Sequence, residues 1–179
     1  MPKGNPMTNE NDTDTSSGEL SCAQIHELLA QQVNDKIEEF EAFALEQEQI
    51  ELPVEHLFVN GMYARKILIP KGTVLTGAVH KWGYVDIMLS GDISVATPEG
   101  VKRMTGWQIL EGKAGRKRMG YAHEDTHWIT VHRTDATTSD GIESILTVQN
   151  MAQFEALPLT EREVILKEET QLCQLPSQQ

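Results

Sequence analysis

The rhythm of the middle of the chain constrains the fold most. ARKILIP, TVLTGAV, VDIMLSG, DISVATPEG, WQILEG and HWITVHR are short runs rich in Val, Ile, Thr and aromatic residues. Turn signals separate them: Pro70-Lys71-Gly72, Ser90-Gly91-Asp92, Pro98-Glu99-Gly100 and Glu111-Gly112. Turns recurring every ~8–12 residues predict a sandwich or barrel of antiparallel strands. No segment between these runs is long enough for the crossover helix that a parallel βαβ unit needs. Gly72 fits the third position of a type II turn, and Gly91 is expected to join two strands at a tight turn.

The flanks have a different pattern. Residues 1–19 are rich in Asn, Asp, Thr, Ser and Gly with almost nothing to bury, so they read as a disordered tail. From about Ser21 to Glu48, Ile25, Leu28, Leu29, Val33, Ile37 and Phe40 recur at three- and four-residue spacing. That is the apolar stripe of an amphipathic helix. A stripe of this length outside the central unit is expected to pack on a partner, as in a homodimer or larger assembly. Pro53 ends the arm. Residues 134–150 read as irregular, and Thr160 followed by Glu163 has the capping-box spacing that opens a C-terminal helix over residues 160–170. The expected organisation is a tail over 1–19, a helical arm over 20–52, a β-barrel over 53–135 and an extension with a helix over 136–179.

Charge narrows the function classes. The chain carries 27 acidic and 15 basic side chains, a formal net charge of −12. The excess is uneven: residues 1–60 carry −11, residues 61–133 carry +5 and residues 134–179 carry −6. Nucleic-acid binding through phosphates is not expected of so acidic a chain, but its basic centre suits a small anion such as a nucleotide or sugar phosphate. No apolar run is long enough to span a membrane. The N-terminal residues lack the apolar core of a secretory signal. Cys22 and Cys173 form neither a CxxC pair nor a disulfide framework, so the expected compartment is the cytoplasm. There is no G-x-S-x-G elbow, zinc-finger spacing or phosphate-binding glycine loop. Cys22 and His26, four apart on the arm, read as helix packing.

The central segment resembles the cupins, small double-sheet jelly rolls with two sequence motifs. In the first, Gly72, His80 and Gly91 fall in register, while Ala78 and Tyr84 stand where the motif has a histidine and a glutamate. In the second, Gly112, Gly120 and His123 fall in register, while Arg118 and His127 stand at the proline and asparagine positions. The likeness covers residues 56–133. The chain is also similar to small cupin-like proteins found in bacteriophage and bacterial genomes. The resemblance implies a mainly β, double-stranded β-helix barrel, to which the flanking patterns add an N-terminal and a C-terminal helix.

It also implies a site. Cupin metal centres use two histidines and a glutamate from the first motif and a histidine from the second. This chain retains His80 and His123, and Asp86 is the nearest carboxylate. His80, Asp86 and His123 are therefore the candidate ligands for one divalent transition metal (iron, zinc, manganese or nickel). Six residues along a strand is about 20 Å, so Asp86 reaches His80 only if the chain turns near Gly83. Without a metal, Arg65, Tyr84, Lys117, Arg118 and His127 are the candidate ligand-binding residues. His127 shares parity with the apolar Ile129 and Val131 and is expected near the pocket; His132 is expected at a strand end. Trp82, Trp107 and Trp128 are candidates for core or a stacking wall. Three readings follow: a non-enzymatic module acting by assembly or by holding a small ligand, a metal-dependent enzyme of the oxygenase or isomerase class, and a binder of a small anion.

Overall fold

The computed structural model describes residues 22–97 and 100–158. The tail, Pro98-Glu99, the Thr160 capping box with its helix, and Cys173 lie outside the described residues. The chain opens with α1 (Cys22–Leu45), where the sequence periodicity places a helix. The strands follow: β1 (Val54–Val59), β2 (Met62–Ile69), β3 (Val74–Thr76), β4 (Val79–His80), β5 (Tyr84–Thr97), β6 (Gly100–Thr105), β7 (Gln108–Gly112) and β8 (Met119–Arg133). After them come α2 (Ile142–Leu146), β9 (Thr147–Val148) and α3 (Met151–Glu155). No helix among the described residues is long and apolar enough to cross a membrane.

All pairings are antiparallel, in the order β1-β2-β8-β5-β6, with β3 added to β8 and β7 to β5; β4 pairs separately with β9. The two long strands β5 and β8 run side by side and serve both layers of the barrel. The first half of β5 pairs with β7 and its second half with β6. The first half of β8 pairs with β3 and its second half with β2. Such a strand must bend midway, and the β5–β8 register shifts between Met88 and Ile93 mark the bend. This is the antiparallel barrel that the strand rhythm predicts, in the cupin-like double-sheet form that the motif resemblance implies.

Gly91 sits at that bend, which corrects its expected place in a turn between two strands. It lies inside one continuous strand at φ 115°, and a Cβ there would come within 2.3 Å of Thr126 Oγ1. Gly72 is at the turn position expected of it, with φ 83° and the Thr73 N–H donating to Pro70 O at 3.1 Å.

The barrel core is Ile67, Ile69, Met88, Ile93, Val95, Met104, Ala122 and Trp128. Each large side chain buried there contributes about 1.5–3 kcal/mol. A smaller cluster joins Tyr63 to Ile142 and Leu146. Residues 134–150, expected to be irregular, thus contain a helical turn whose i, i+4 apolar pair packs on Tyr63 of β2. The arm α1 also differs from expectation. Asn34 and Ile37 are buried, Glu38 accepts from Met151 N–H (2.8 Å) and Glu41 accepts from Thr76 Oγ1 (2.7 Å), so this face docks on its own chain. Leu28, Leu29 and Phe43 remain exposed.

Candidate functional site

Alternate residues of a strand point to opposite faces, and on β2 the inward set is Tyr63, Arg65, Ile67 and Ile69. Tyr84 and Asp86 on β5, and Trp128 and Thr130 on β8, face them. Between these walls is a cavity of about 220 Å³, which His80 and Arg118 also line. A second recess of about 310 Å³ shares the Arg118 and Trp128 side chains and includes Lys102, Glu111 and Arg116.

Asp86, 1 % exposed, is the most buried charge in the cavity wall. One carboxylate oxygen is ion-paired with Arg118 Nη1, and the other accepts from Trp128 Nε1 at 2.8 Å. Burial pushes the Asp86 pKa up, and Arg118 and the indole N–H oppose that push. The Arg118 guanidinium also lies 5.6 Å from the centroid of the Tyr84 ring, a cation–π contact. Tyr84 is held as the neutral phenol, its pKa raised by desolvation and then by Asp86.

A ladder of rings runs from this wall toward the barrel end. His80 stacks on Tyr84 (4.0 Å between centroids) and on His132 (4.9 Å), and His132 also stacks on Tyr84 (4.9 Å). Tyr63 continues the ladder 6.3 Å from His132, and its hydroxyl is 2.7 Å from His56 Nδ1. Desolvation, followed by the charges of neighbouring groups, lowers the His80 pKa to about 3; desolvation and Arg65 lower that of His132 to about 4. Both rings are therefore neutral near pH 7. Among the described residues, two buried side-chain polar atoms lack a hydrogen-bond partner: His80 Nδ1 and Arg118 Nε. Both belong to side chains that line this one cavity.

The structure gathers Arg65, His80, Tyr84, Asp86 and Arg118 and sends the other candidates elsewhere. His123 is on the outer face of β8, with Nε2 2.8 Å from Ser94 Oγ and its ring edge-on to Tyr121. Its neighbour Ala122 is the residue that points inward, wholly buried. His127 likewise faces out, 3.2 Å from Ser90 Oγ. Lys117 is fully buried, in the segment leading into β8, and is engaged away from the cavity that its neighbour Arg118 lines. Its Nζ is 2.6 Å from Glu41 Oε2 and donates to Gln149 O at 2.7 Å, tying α1 to the barrel. His132 and Thr130 are the inward residues that sequence reasoning missed. Counting in twos from Trp128 reaches both.

This placement does not suit a metal. No group of three His, Cys, Asp or Glu side chains among the described residues is arranged to hold an ion. The two imidazoles that do meet, His80 and His132, stack within 13° of parallel, so their lone pairs do not converge on a common point. Both oxygens of Asp86 already have partners.

No protein-family model matches the sequence, and no curated protein matches it. Several solved structures are similar over about half of the chain. Ectoine synthase from P. lautus is 13 % identical, covering 57 % of this chain and 80 % of its own, with a TM-score of 0.44. A cupin-2 domain protein from Shewanella frigidimarina is 12 % identical, covering 52 % and 90 %, with a TM-score of 0.39. A protein of unknown function from Streptococcus pyogenes is 17 % identical, covering 50 % and 80 %, with a TM-score of 0.39. No residue role is carried over from them. The chain's own strand order, with β5 and β8 shared between two antiparallel layers, makes it cupin-like in fold.

Proposed function

We propose that the protein is a binding module whose barrel cavity holds a small organic ligand without a metal. The observation that carries this reading is the coincidence of both unpartnered buried polar atoms, His80 Nδ1 and Arg118 Nε, on the wall of one cavity. Buried polar groups are nearly always hydrogen-bonded, and leaving one unmet costs about 1–3 kcal/mol. Such a cost is offset when a ligand, or the small shift it induces, supplies the partner. The surrounding groups favour holding over reacting. Asp86 is neutralised by Arg118, Tyr84 is held protonated, and both imidazoles are fixed face to face in a stack. Thermal unfolding of the full chain against a library of small acids, amides and alcohols tests the reading, with metal chelator present throughout. Ligands are expected to raise the midpoint in chelator. Stabilisation seen only with an added transition metal would contradict it.

Self-association is a second reading, supported by the outer face of the sheet. The strand register aligns Leu57, Ala64, Val131 and Val85 in one outward row, and Ile129, Ile87 and Ile109 in the next. Leu57, Val85 and Ile109 are 60 %, 42 % and 63 % exposed. These apolar rows, flanked by Lys66 and Glu111, in a sheet whose strand β1 pairs only with β2 among the described residues, suit a second copy of the chain. Sedimentation equilibrium is expected to show a dimer that Val85→Lys with Ile109→Glu dissociates. A monomer at every concentration would contradict it.

A further inference from the structure

We propose that the ligand of this cavity is a singly charged carboxylate with a compact apolar or aromatic body, its carboxylate seated on Arg65. This rests on the reading of the cavity as a ligand site and specifies its chemistry.

The first argument is charge. Arg65, Arg118 and Asp86 are the charged side chains lining the cavity. Arg118 and Asp86 cancel as an ion pair. The imidazoles of His80 and His132 and the phenol of Tyr84 are neutral in this setting. Arg65 is left over, and among the described residues it has no hydrogen-bond or ion-pair partner. Its charge acts on both His80 and His132, the latter diagonal to it on the neighbouring strand. One unpaired guanidinium on the cavity wall, half-buried, attracts one counter-charge. A monoanion restores neutrality there, whereas a dianion would leave a negative charge in surplus. The planar guanidinium fork matches a carboxylate with two parallel hydrogen bonds.

The second argument is the rest of the wall. Ile67, Ile69, Leu75, Ile93, Val95 and Trp128 form its apolar side, and Thr76, His80, Tyr84 and Thr130 bring the few uncharged polar groups. Asp86, the carboxylate of the wall, already accepts from two donors. A ligand dense in hydroxyl groups would bury several of them against the apolar side, which sets the site against sugar phosphates and nucleotides. Size gives the third argument. A cavity of about 150 Å³ lined by apolar side chains accommodates benzene. The present cavity, about 220 Å³, has room for a ring and a carboxylate.

Calorimetric titration of the full chain with benzoate, benzamide and phenyl phosphate tests this. Benzoate is expected to bind at least tenfold more tightly than either analogue. Arg65→Gln is expected to weaken benzoate at least tenfold and to narrow its advantage over benzamide. Arg65→Lys, which keeps the charge and loses the fork, is expected to fall between and serves if Arg65→Gln does not fold. Equal or tighter binding of benzamide or phenyl phosphate would overturn the carboxylate inference while leaving the cavity a ligand site. Undiminished benzoate binding in the folded variants would overturn the assignment to Arg65. If none of the three probes binds, the carboxylate inference fails; if neutral fragments also fail to stabilise the chain, the ligand-site reading fails with it.

Discussion

Asp86 and Arg118 form an ion pair inside the barrel, on a carboxylate that is 1 % exposed and a guanidinium side chain that is 20 % exposed. Trp128 Nε1 occupies the second carboxylate oxygen at 2.8 Å, so the buried acid is fully engaged. The pair joins β5 to the segment leading into β8, the two strands shared by both layers, and it fixes the guanidinium against the Tyr84 ring.

Removing one partner should therefore cost more than removing both. Asp86→Leu leaves a largely buried guanidinium without a counter-charge, and the expected loss is about 3–5 kcal/mol. Asp86→Leu with Arg118→Met should recover much of that loss. Urea unfolding of the two single variants and the double variant measures it. A double variant that loses the sum of the two singles would show that the pair does not act as a unit.

Stability should fall on mild acidification. The imidazoles of His80 and His132 titrate near 3 and 4 in the fold, well below the ordinary value near 6.5. Below pH 6.5 the unfolded chain takes up protons that the folded chain refuses. The contribution of the neutral rings is therefore whole above that pH and lost as pH falls toward 4 and then 3. Asp86, with its raised pKa, works in the opposite sense at the acid end. Between pH 7 and 5.5 the two histidines together should cost about 1–3 kcal/mol. Thermal midpoints across this range should slope in the parent and slope less steeply in His132→Phe, which keeps His80. Equal slopes in both would contradict the assignment.

Lys117→Met should loosen the arm and leave the barrel intact. The ammonium is wholly buried between Glu41 and Gln149 O, while Glu41 is 26 % exposed. Because water can reach the orphaned carboxylate, the expected cost is about 2–3 kcal/mol, below that of a fully buried pair. Limited proteolysis should then cut within residues 22–52 first. Unchanged resistance of that segment would show that the strap does not hold α1.

Gly112→Ala should disturb the ring stack. A Cβ at this position would lie 2.4 Å from the Tyr84 ring, which stacks 4.0 Å from His80. The ring must move, at a cost of about 1–3 kcal/mol, and ligand affinity should fall with it. Parental stability and parental affinity in the variant would place Tyr84 outside the binding wall.

The strand rhythm was legible because period-two alternation and turn residues are local signals. Gly91 misled because Ser-Gly-Asp suits a tight turn and a bulge equally well; only the pairing of β5 with β8 distinguishes them. Motif spacing brought out His80 and Arg118, but spacing cannot say which face of a strand a residue takes. His123 is a candidate by its motif position, and His127 by sharing parity with Ile129 and Val131, which look like a core set. In the fold those two belong to the outer apolar rows, and Trp128, Thr130 and His132 point in. Lys117 and Arg118 are neighbours in R-K-R, yet Lys117 is engaged away from the cavity that Arg118 lines. Composition gives no sign that one meets the cavity and the other an arm seventy-six residues earlier.

The most direct test of the central claim is site-resolved. The chain has three tryptophans, and their indole N–H resonances report separate places: Trp128 in the cavity wall beside Asp86, and Trp107, 72 % exposed, on the surface. Nitrogen–proton correlation spectra of the full chain, titrated with benzoate in the presence of chelator, should move the Trp128 indole resonance in a saturable manner and leave Trp107 in place. A Trp128 resonance that stays fixed while benzoate saturates other signals, or that moves only when a transition metal replaces the chelator, would contradict a metal-independent ligand site in the barrel.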